Sequence, residues 1–327
     1  MKSLMGTFAM ITLATSVPAI AFDIQGHRGA RGLVPENTIE AFSTALSIGV
    51  TTLELDVGMT KDGVLVVHHD EWLNPNITRG PDGAFLSHRG PAIYSMTLEE
   101  VKRYDVGRLK PGTAYAARLP EQRPRDGARI PTLAEVFELV NRIGADHIRF
   151  NIETKLTPTS GHDVPEPELF AKAVAAAVRD AGLTKRVSIQ SFDWRTLFVL
   201  RRVGPEIIRV CLTSQRPGQD TIGRGKSGAS PWTAGLDMDK FGGSAPRLVA
   251  AADCSVWSPA FEDLTSERMA EANWLGIRVI PWVVNEPDQM EHFLRLRVAG
   301  IITDYPNRLR RVLAANNLPL PLPLSIP

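Results

Sequence analysis

The chain has 327 residues, 43% of them hydrophobic and 22% charged, with 37 Lys and Arg against 36 Asp and Glu. That length supports a large core without metal or disulfide staples, and two cysteines exclude a disulfide-rich miniature scaffold. A net charge of +1 argues against intrinsic disorder and against a nucleic-acid binder that neutralises phosphates.

Met1-Lys2-Ser3 is a short basic start, followed by the apolar stretch Leu4–Val17 and by small residues, Ala19 and Ala21. This is the pattern of a secretory signal peptide cleaved after Ala21. The apolar run falls short of the ~20 residues of a membrane span. No later segment has that character, so stable membrane insertion is not expected. Cleavage removes Lys2 and leaves basic and acidic residues balanced at 36 each. A periplasmic or secreted location follows, where disulfides are permitted.

Short apolar or β-branched runs come next: Ile24–His27, Thr52–Val57, Ile148–Glu153, Val187–Ser191, Ile207–Leu212, Cys254–Trp257, Arg278–Trp282 and Gly300–Thr303. They are mostly apolar on both sides, as strands covered by helices are. Helical periodicity separates them. Asn37–Ile48 opens with a capping-box spacing, and Thr132–Ile143 repeats it with Thr132 and Glu135. Glu166–Ala181 and Trp194–Val203 stop at Gly182 and Gly204. Glu262–Leu275, Glu286–Arg297 and Pro306–Ala315 complete the set. The alternation predicts an α/β fold, a (β/α)₈ TIM barrel, with a doubly wound open sheet as the competitor.

Two regions break the rhythm. Residues 58–129, rich in Pro, Gly, Arg and Asp, form an insertion after the second strand, with a hairpin strand at Gly63–His68. Thr213–Arg247 reads as a flexible rim loop. The expected organisation is a signal peptide at 1–21, one barrel domain at 22–315 and a proline-rich tail at 316–327. Alternate prolines exclude a helix in that tail. Cys211 and Cys254 fall in the fifth and sixth strands. Buried free thiols are the default there, although an exported chain permits a bridge.

Acid and base residues collect where the strands stop. His27 and Arg28 end the first strand, Glu54 and Asp56 lie in the second, His69 and Asp70 follow the hairpin, and Glu153 and Lys155 end the third. In a βα-barrel those ends line the active-site mouth. The i,i+2 spacing puts Glu54 and Asp56 on one face of their strand. Two carboxylates aimed into an apolar barrel are costly unless a cation sits between them. With Glu153 they make a hard oxygen-ligand set suited to Ca²⁺ or Mg²⁺ rather than structural zinc. Arg28 and Lys155 add the charge a phosphate needs, and His27 and His69 can exchange protons near neutral pH. Together these residues point to a metal-assisted hydrolase of an anionic ester.

Those motifs carry a resemblance. Gly26-His27-Arg28-Gly29-Ala30, Pro35-Glu36-Asn37-Thr38, Glu54-Leu55-Asp56-Val57, Asp62-Gly63 and His69-Asp70 resemble the N-terminal signature of the glycerophosphodiester phosphodiesterase family. Asn151-Ile152-Glu153-Thr154-Lys155, Ser191-Phe192-Asp193, Trp282-Val283-Val284-Asn285 and the run Gly300–Pro306 resemble its later strand ends. The likeness spans residues 24 to about 310. It implies a (β/α)₈ barrel that cleaves glycerophosphodiesters, such as glycerophosphocholine, to sn-glycerol 3-phosphate and an alcohol. It also implies Glu54, Asp56 and Glu153 as ligands of one divalent cation, and His27 and His69 as the acid–base pair. Arg28 and Lys155 would hold the phosphate, with His27 as base, His69 as acid and a cyclic phosphate as intermediate.

Lesser candidates at the mouth are Glu36, Phe192, Trp282 and Tyr305. Asp70 is expected to support His69, and Asp304 to touch the pocket or cap a helix. Three departures from the family pattern stand out. Val283 replaces a common threonine, His68 adds an imidazole that should point away from His69, and the insertion is longer than in compact members. The insertion leaves the leaving group open and favours Ca²⁺ over Mg²⁺. Lysophospholipase D or sphingomyelinase D-like activity is the enzymatic alternative, and a non-catalytic periplasmic phosphodiester-binding protein the other. No protein partner is legible.

Overall fold

The computed structural model describes residues 22–326. The signal-peptide reading lies outside those residues. The first half runs β1 (Asp23–Gly26), α1 (Ile39–Ile48), β2 (Thr52–Met59), β3 (Leu65–Val67), α2 (Leu98–Val101), α3 (Ala114–Ala117), α4 (Leu133–Arg142), β4 (Arg149–Thr154) and α5 (Pro167–Asp180). Then come β5 (Val187–Ser191), α6 (Trp194–Val203), β6 (Ile208–Thr213), α7 (Ala245–Ala251), β7 (Val256–Pro259) and α8 (Ser266–Trp274). β8 (Arg278–Val279), α9 (Pro287–Arg295), β9 (Gly300–Thr303) and α10 (Pro306–Ala315) end the chain's regular structure.

Eight strands pair in parallel in the order β8-β7-β6-β5-β4-β2-β1-β9. The ring closes where the Ala299 and Ile302 N–H groups donate to the Val279 and Pro281 carbonyls, at 2.9 and 3.1 Å. Closure excludes the open sheet: the fold is a (β/α)₈ barrel. The strands are buried on both faces, which is why their sequences read as apolar runs rather than alternations. β8 is regular for only two residues, because Pro281 has no N–H to offer. The segment still follows the sheet, with Ile280 and Trp282 donating to Trp257 and Pro259.

Local chemistry explains several boundaries. Thr132 and Glu135 form the expected capping box on α4. On α1 the cap is Thr38, one residue later than the Asn37 start. Asn37 is instead held at φ 56°, with its amide on Asp56. α8 starts at Ser266 behind a Thr265 cap, later than the expected Glu262, because Phe261–Asp263 forms a 3₁₀ turn. α7 begins in the last three residues of the expected rim loop and runs past its Arg247 end; Ser244 caps it and Pro246 sits in its first turn. Cys211 and Cys254 are bridged, with Cα atoms 5.9 Å apart. This corrects the default of free thiols: neighbouring strands bring the two within disulfide reach.

β3 pairs antiparallel with β2, and the insertion it opens builds its own small core from Val66, Leu73, Ile93, Met96, Val101, Val106 and Ile130. The insertion is therefore a subdomain seated on the barrel mouth. The proline-rich tail runs extended along α1, tied by Leu324 N–H to the Leu46 carbonyl and by Arg310 to Pro321. Among the described residues no helix is long and apolar enough to cross a membrane.

Candidate active site

The turn after β1 puts two functional groups at the mouth. Arg28 adopts φ 51° and Gly29 φ 86°. A Cβ on Gly29 would meet the Ala41 backbone at 2.6 Å, so the turn needs glycine there. The tight turn lets the Arg28 N–H donate to Glu54 Oε2 at 2.8 Å, while its Nε lies 3.2 Å from Asp56 Oδ2. Register alignment of Asp56 with Glu153 completes the cluster. Glu54, Asp56 and Glu153 each offer an oxygen within 4.8 Å of the others, and all three are buried.

Burial, reinforced by the Asp56 charge, pushes Glu54 well above the usual carboxylate range. Glu153 is raised to about 7 by burial and Asp56, against the pull of Lys155 2.6 Å away. Asp56 goes the other way: His69, Arg28 and Lys155 more than offset its burial and hold it ionised. The cluster thus carries more carboxylates than its own cations can keep charged. Asp56 Oδ1 is buried without a hydrogen bond. Three hard oxygen donors, one of them orphaned, fit a divalent cation.

Both candidate histidines are backed by aspartate. His27 Nδ1 lies 2.6 Å from Asp304 Oδ1, and Arg31 and Asn285 hold that carboxylate at 2.8–2.9 Å. His69 Nδ1 lies 2.8 Å from Asp70 Oδ1, and Asn74 holds Asp70 at 2.6 Å. Each pairing leaves Nε2 for the cavity; that of His27 is 4.0 Å from Glu54. Burial, then the charge of Arg31, lowers His27 to about 4, and burial lowers His69 with help from Arg28 and Lys155.

A cavity of about 310 Å³ joins His27, Arg28, Glu54, His69, Glu153, Phe192 and Trp282. Phe192 and Trp282 meet edge-to-face at 5.2 Å and form its aromatic wall. Lys155 lines the adjoining space beside His69. Glu36 stands behind Arg28, accepting from its Nη1 at 2.5 Å, rather than in the cavity. Tyr305 is outside the cavity lining: its ring packs against Gly32 and under Arg308, 3.9 Å away. His68 turns away from the pair, with Nε2 3.2 Å from the Trp72 carbonyl.

Several contributors had no clear mark in the sequence. Tyr115, from α3 of the insertion, donates to Glu36 and so braces Arg28. Gln190 donates to Glu54 Oε1 at 2.7 Å, and Asn151 links Gln190 to Gln25 beneath it. These three polar residues face the barrel interior at i−2 from catalytic-end positions or on the next strand, a spacing that could have found them. Arg31, Arg118 and Arg216 also line the cavity.

Residues 27–308 match the model of the glycerophosphoryl diester phosphodiesterase family. A glycerophosphodiester phosphodiesterase of Caldanaerobacter subterraneus is 32% identical over 283 residues, covering 86% of this chain and 94% of its own. A solved chain from Silicibacter pomeroyi is 36% identical with a TM-score of 0.81, covering 91% and 95% of the two chains. An Oleispira antarctica phosphodiesterase solved with sn-glycerol-3-phosphate shares the fold at 19% identity and TM-score 0.63, covering 89% and 96%. With the family model matched over residues 27–308 and a relative 32% identical over 86% of the chain, this protein belongs to the glycerophosphoryl diester phosphodiesterase family.

Proposed function

We propose that this protein hydrolyses glycerophosphodiesters, glycerophosphocholine among them, to sn-glycerol 3-phosphate and an alcohol. The observation that carries the reading is the pair of aspartate-backed imidazoles on either side of a buried three-carboxylate cluster. Arg28 and Lys155 bind the non-bridging phosphoryl oxygens. Phe192 and Trp282 pack against the glycerol carbons. His27 Nε2 takes the proton of the substrate's C2 hydroxyl as its oxygen bonds to phosphorus. His69 Nε2 gives a proton to the leaving alcohol oxygen as its bond to phosphorus breaks. A five-membered cyclic phosphate results. Water then opens it with the roles reversed: His69 takes the water proton and His27 returns one to the C2 oxygen.

Holding the C2 hydroxyl beside phosphorus is a proximity effect worth several kcal/mol in favourable cases. A divalent cation on Glu54, Asp56 and Glu153 would supply positive charge against the charge developing on the phosphoryl oxygens. Ca²⁺ is the reading for that cation, ahead of Mg²⁺, from the long insertion. The location is periplasmic or secreted. N-terminal sequencing of the exported protein should then begin at Phe22.

The test follows alcohol release from glycerophosphocholine, glycerophosphoethanolamine and a lysophospholipid, each with Ca²⁺, Mg²⁺ or a chelator. Cation-dependent turnover of the glycerol diesters is expected. Turnover that survives chelation would sink the carboxylate assignment, and activity on the lysolipid alone would replace this reading with a lysophospholipase D.

A further inference from the structure

Two cavities adjoin the catalytic one, and their linings assign them a side. His69 borders all three, whereas His27 borders only the first. In phosphoryl transfer the attacking and leaving oxygens lie roughly in line across phosphorus. The glycerol hydroxyl activated by His27 and the alcohol protonated by His69 therefore lie on opposite sides of phosphorus. Space reached by His69 and not by His27 belongs to the leaving alcohol.

The larger of those cavities, about 560 Å³, runs from His69 and Lys155 between the insertion and the β4–α5 loop. Trp72, Trp232 and Phe192 are its aromatic walls; besides Asp70 and Glu153 it has two further carboxylates, Glu71 and Asp163. Ser160 donates to one oxygen of Glu71, and the Trp72 indole N–H donates to one oxygen of Asp163 at 3.1 Å. Neither acid is paired with a cation among the described residues, unlike Glu153, which Lys155 neutralises. The hydrogen bonds fix both carboxylates in place and leave the second oxygen of each free, in a cavity that Arg89 and Lys155 also line. An aromatic face of this cavity already carries a cation: the Arg89 guanidinium lies 3.9 Å over the Trp72 ring.

We propose that this cavity is the leaving-group subsite and that Glu71, Asp163, Trp72 and Trp232 select alcohols bearing an amine or quaternary ammonium group. A quaternary ammonium has no N–H, so it is held by ring faces and by diffuse negative charge, both present here. A primary ammonium, though smaller, gains the open carboxylate oxygens as acceptors. The inference rests on the hydrolysis reading and narrows its substrate class from glycerophosphodiesters in general to those with a cationic head group.

The experiment compares kcat/KM for glycerophosphocholine, glycerophosphoethanolamine and glycerophosphoglycerol, whose head group is neutral. It uses the purified wild-type enzyme with cation and the Glu71→Gln/Asp163→Asn double variant. Wild type should favour the two cationic diesters by about tenfold or more, the scale of a desolvated cation held by aromatics and carboxylate. In the double variant that preference should collapse towards unity, chiefly through KM. An equal wild-type rate on all three diesters overturns the selection while leaving hydrolysis standing. So does a double variant whose preference is unchanged, or one that loses all three activities alike. If wild type turns over none of them, the hydrolysis reading itself has failed.

Discussion

The two histidines carry the same donor and the same kind of partner, yet they are built from different parts of the molecule. His27 is a barrel residue: it follows β1, its side chain is 11% exposed, and its Asp304 follows the adjacent strand β9 and is clamped by Arg31 and Asn285. His69 belongs to the root of the insertion, its side chain is 30% exposed, and its Asp70 is the next residue, held by Asn74. The His27 arm is long-range and buried, so it is stiff and intolerant. The His69 arm is local and half-open, so it can adapt to whichever alcohol leaves. In the proposed mechanism the base works on the constant half of the substrate and the acid on the variable half, so that the scaffold gives rigidity to the first and access to the second.

Breaking either arm outright should cost most. His27→Ala and His69→Ala should each lower kcat by roughly a thousandfold, within the usual range for a general acid or base; full activity in either would remove it from the mechanism. The partners should then separate the arms. Asp304→Asn should cost about a hundredfold in kcat and about 3 kcal/mol of stability, since it leaves the partly buried Arg31 without the fully buried carboxylate it pairs with. Asp70→Asn should cost about tenfold with little change in Tm, because its histidine and carboxylate are partly solvated. Equal effects of the two, measured by steady-state kinetics and thermal melts, would erase the distinction.

Smaller substitutions sharpen it further. Tyr115→Phe removes the insertion's hydrogen bond to Glu36 and loosens Arg28, so KM should rise about fivefold with kcat little changed. A fall in kcat alone would mean that Tyr115 acts elsewhere. At the bottom of the scale, Thr132→Ala removes the α4 cap and should cost about 1 kcal/mol in denaturant melts without touching kinetics.

How legible these parts were in the sequence follows the same division. Strand periodicity and the strand-end residues led directly to the barrel, to Glu54, Asp56 and Glu153, and to both imidazoles, because each is a local pattern at a position the fold repeats. Asp304 was visible only as a residue near the mouth: its partner lies 277 positions away, and nothing local distinguishes a clamp from a helix cap. Tyr115 left no trace, since α3 is four residues long and its contact to Glu36 depends on how the insertion folds over the barrel. The cysteine bridge was a choice between two states that composition leaves open, and strand adjacency decided it. α7 was hidden because it is only seven residues long, too short to display helical periodicity between the loop and the next strand.

The most direct test of this division of labour removes the constant half's nucleophile. A phosphocholine diester of propane-1,3-diol lacks only the C2 hydroxyl that His27 would activate. Measured beside glycerophosphocholine with the same cation, its kcat/KM should be lower by at least about a thousandfold, the scale of a lost intramolecular nucleophile. Comparable rates on the two would contradict the account, because water or another nucleophile would then be doing what His27 and the substrate hydroxyl are said to do.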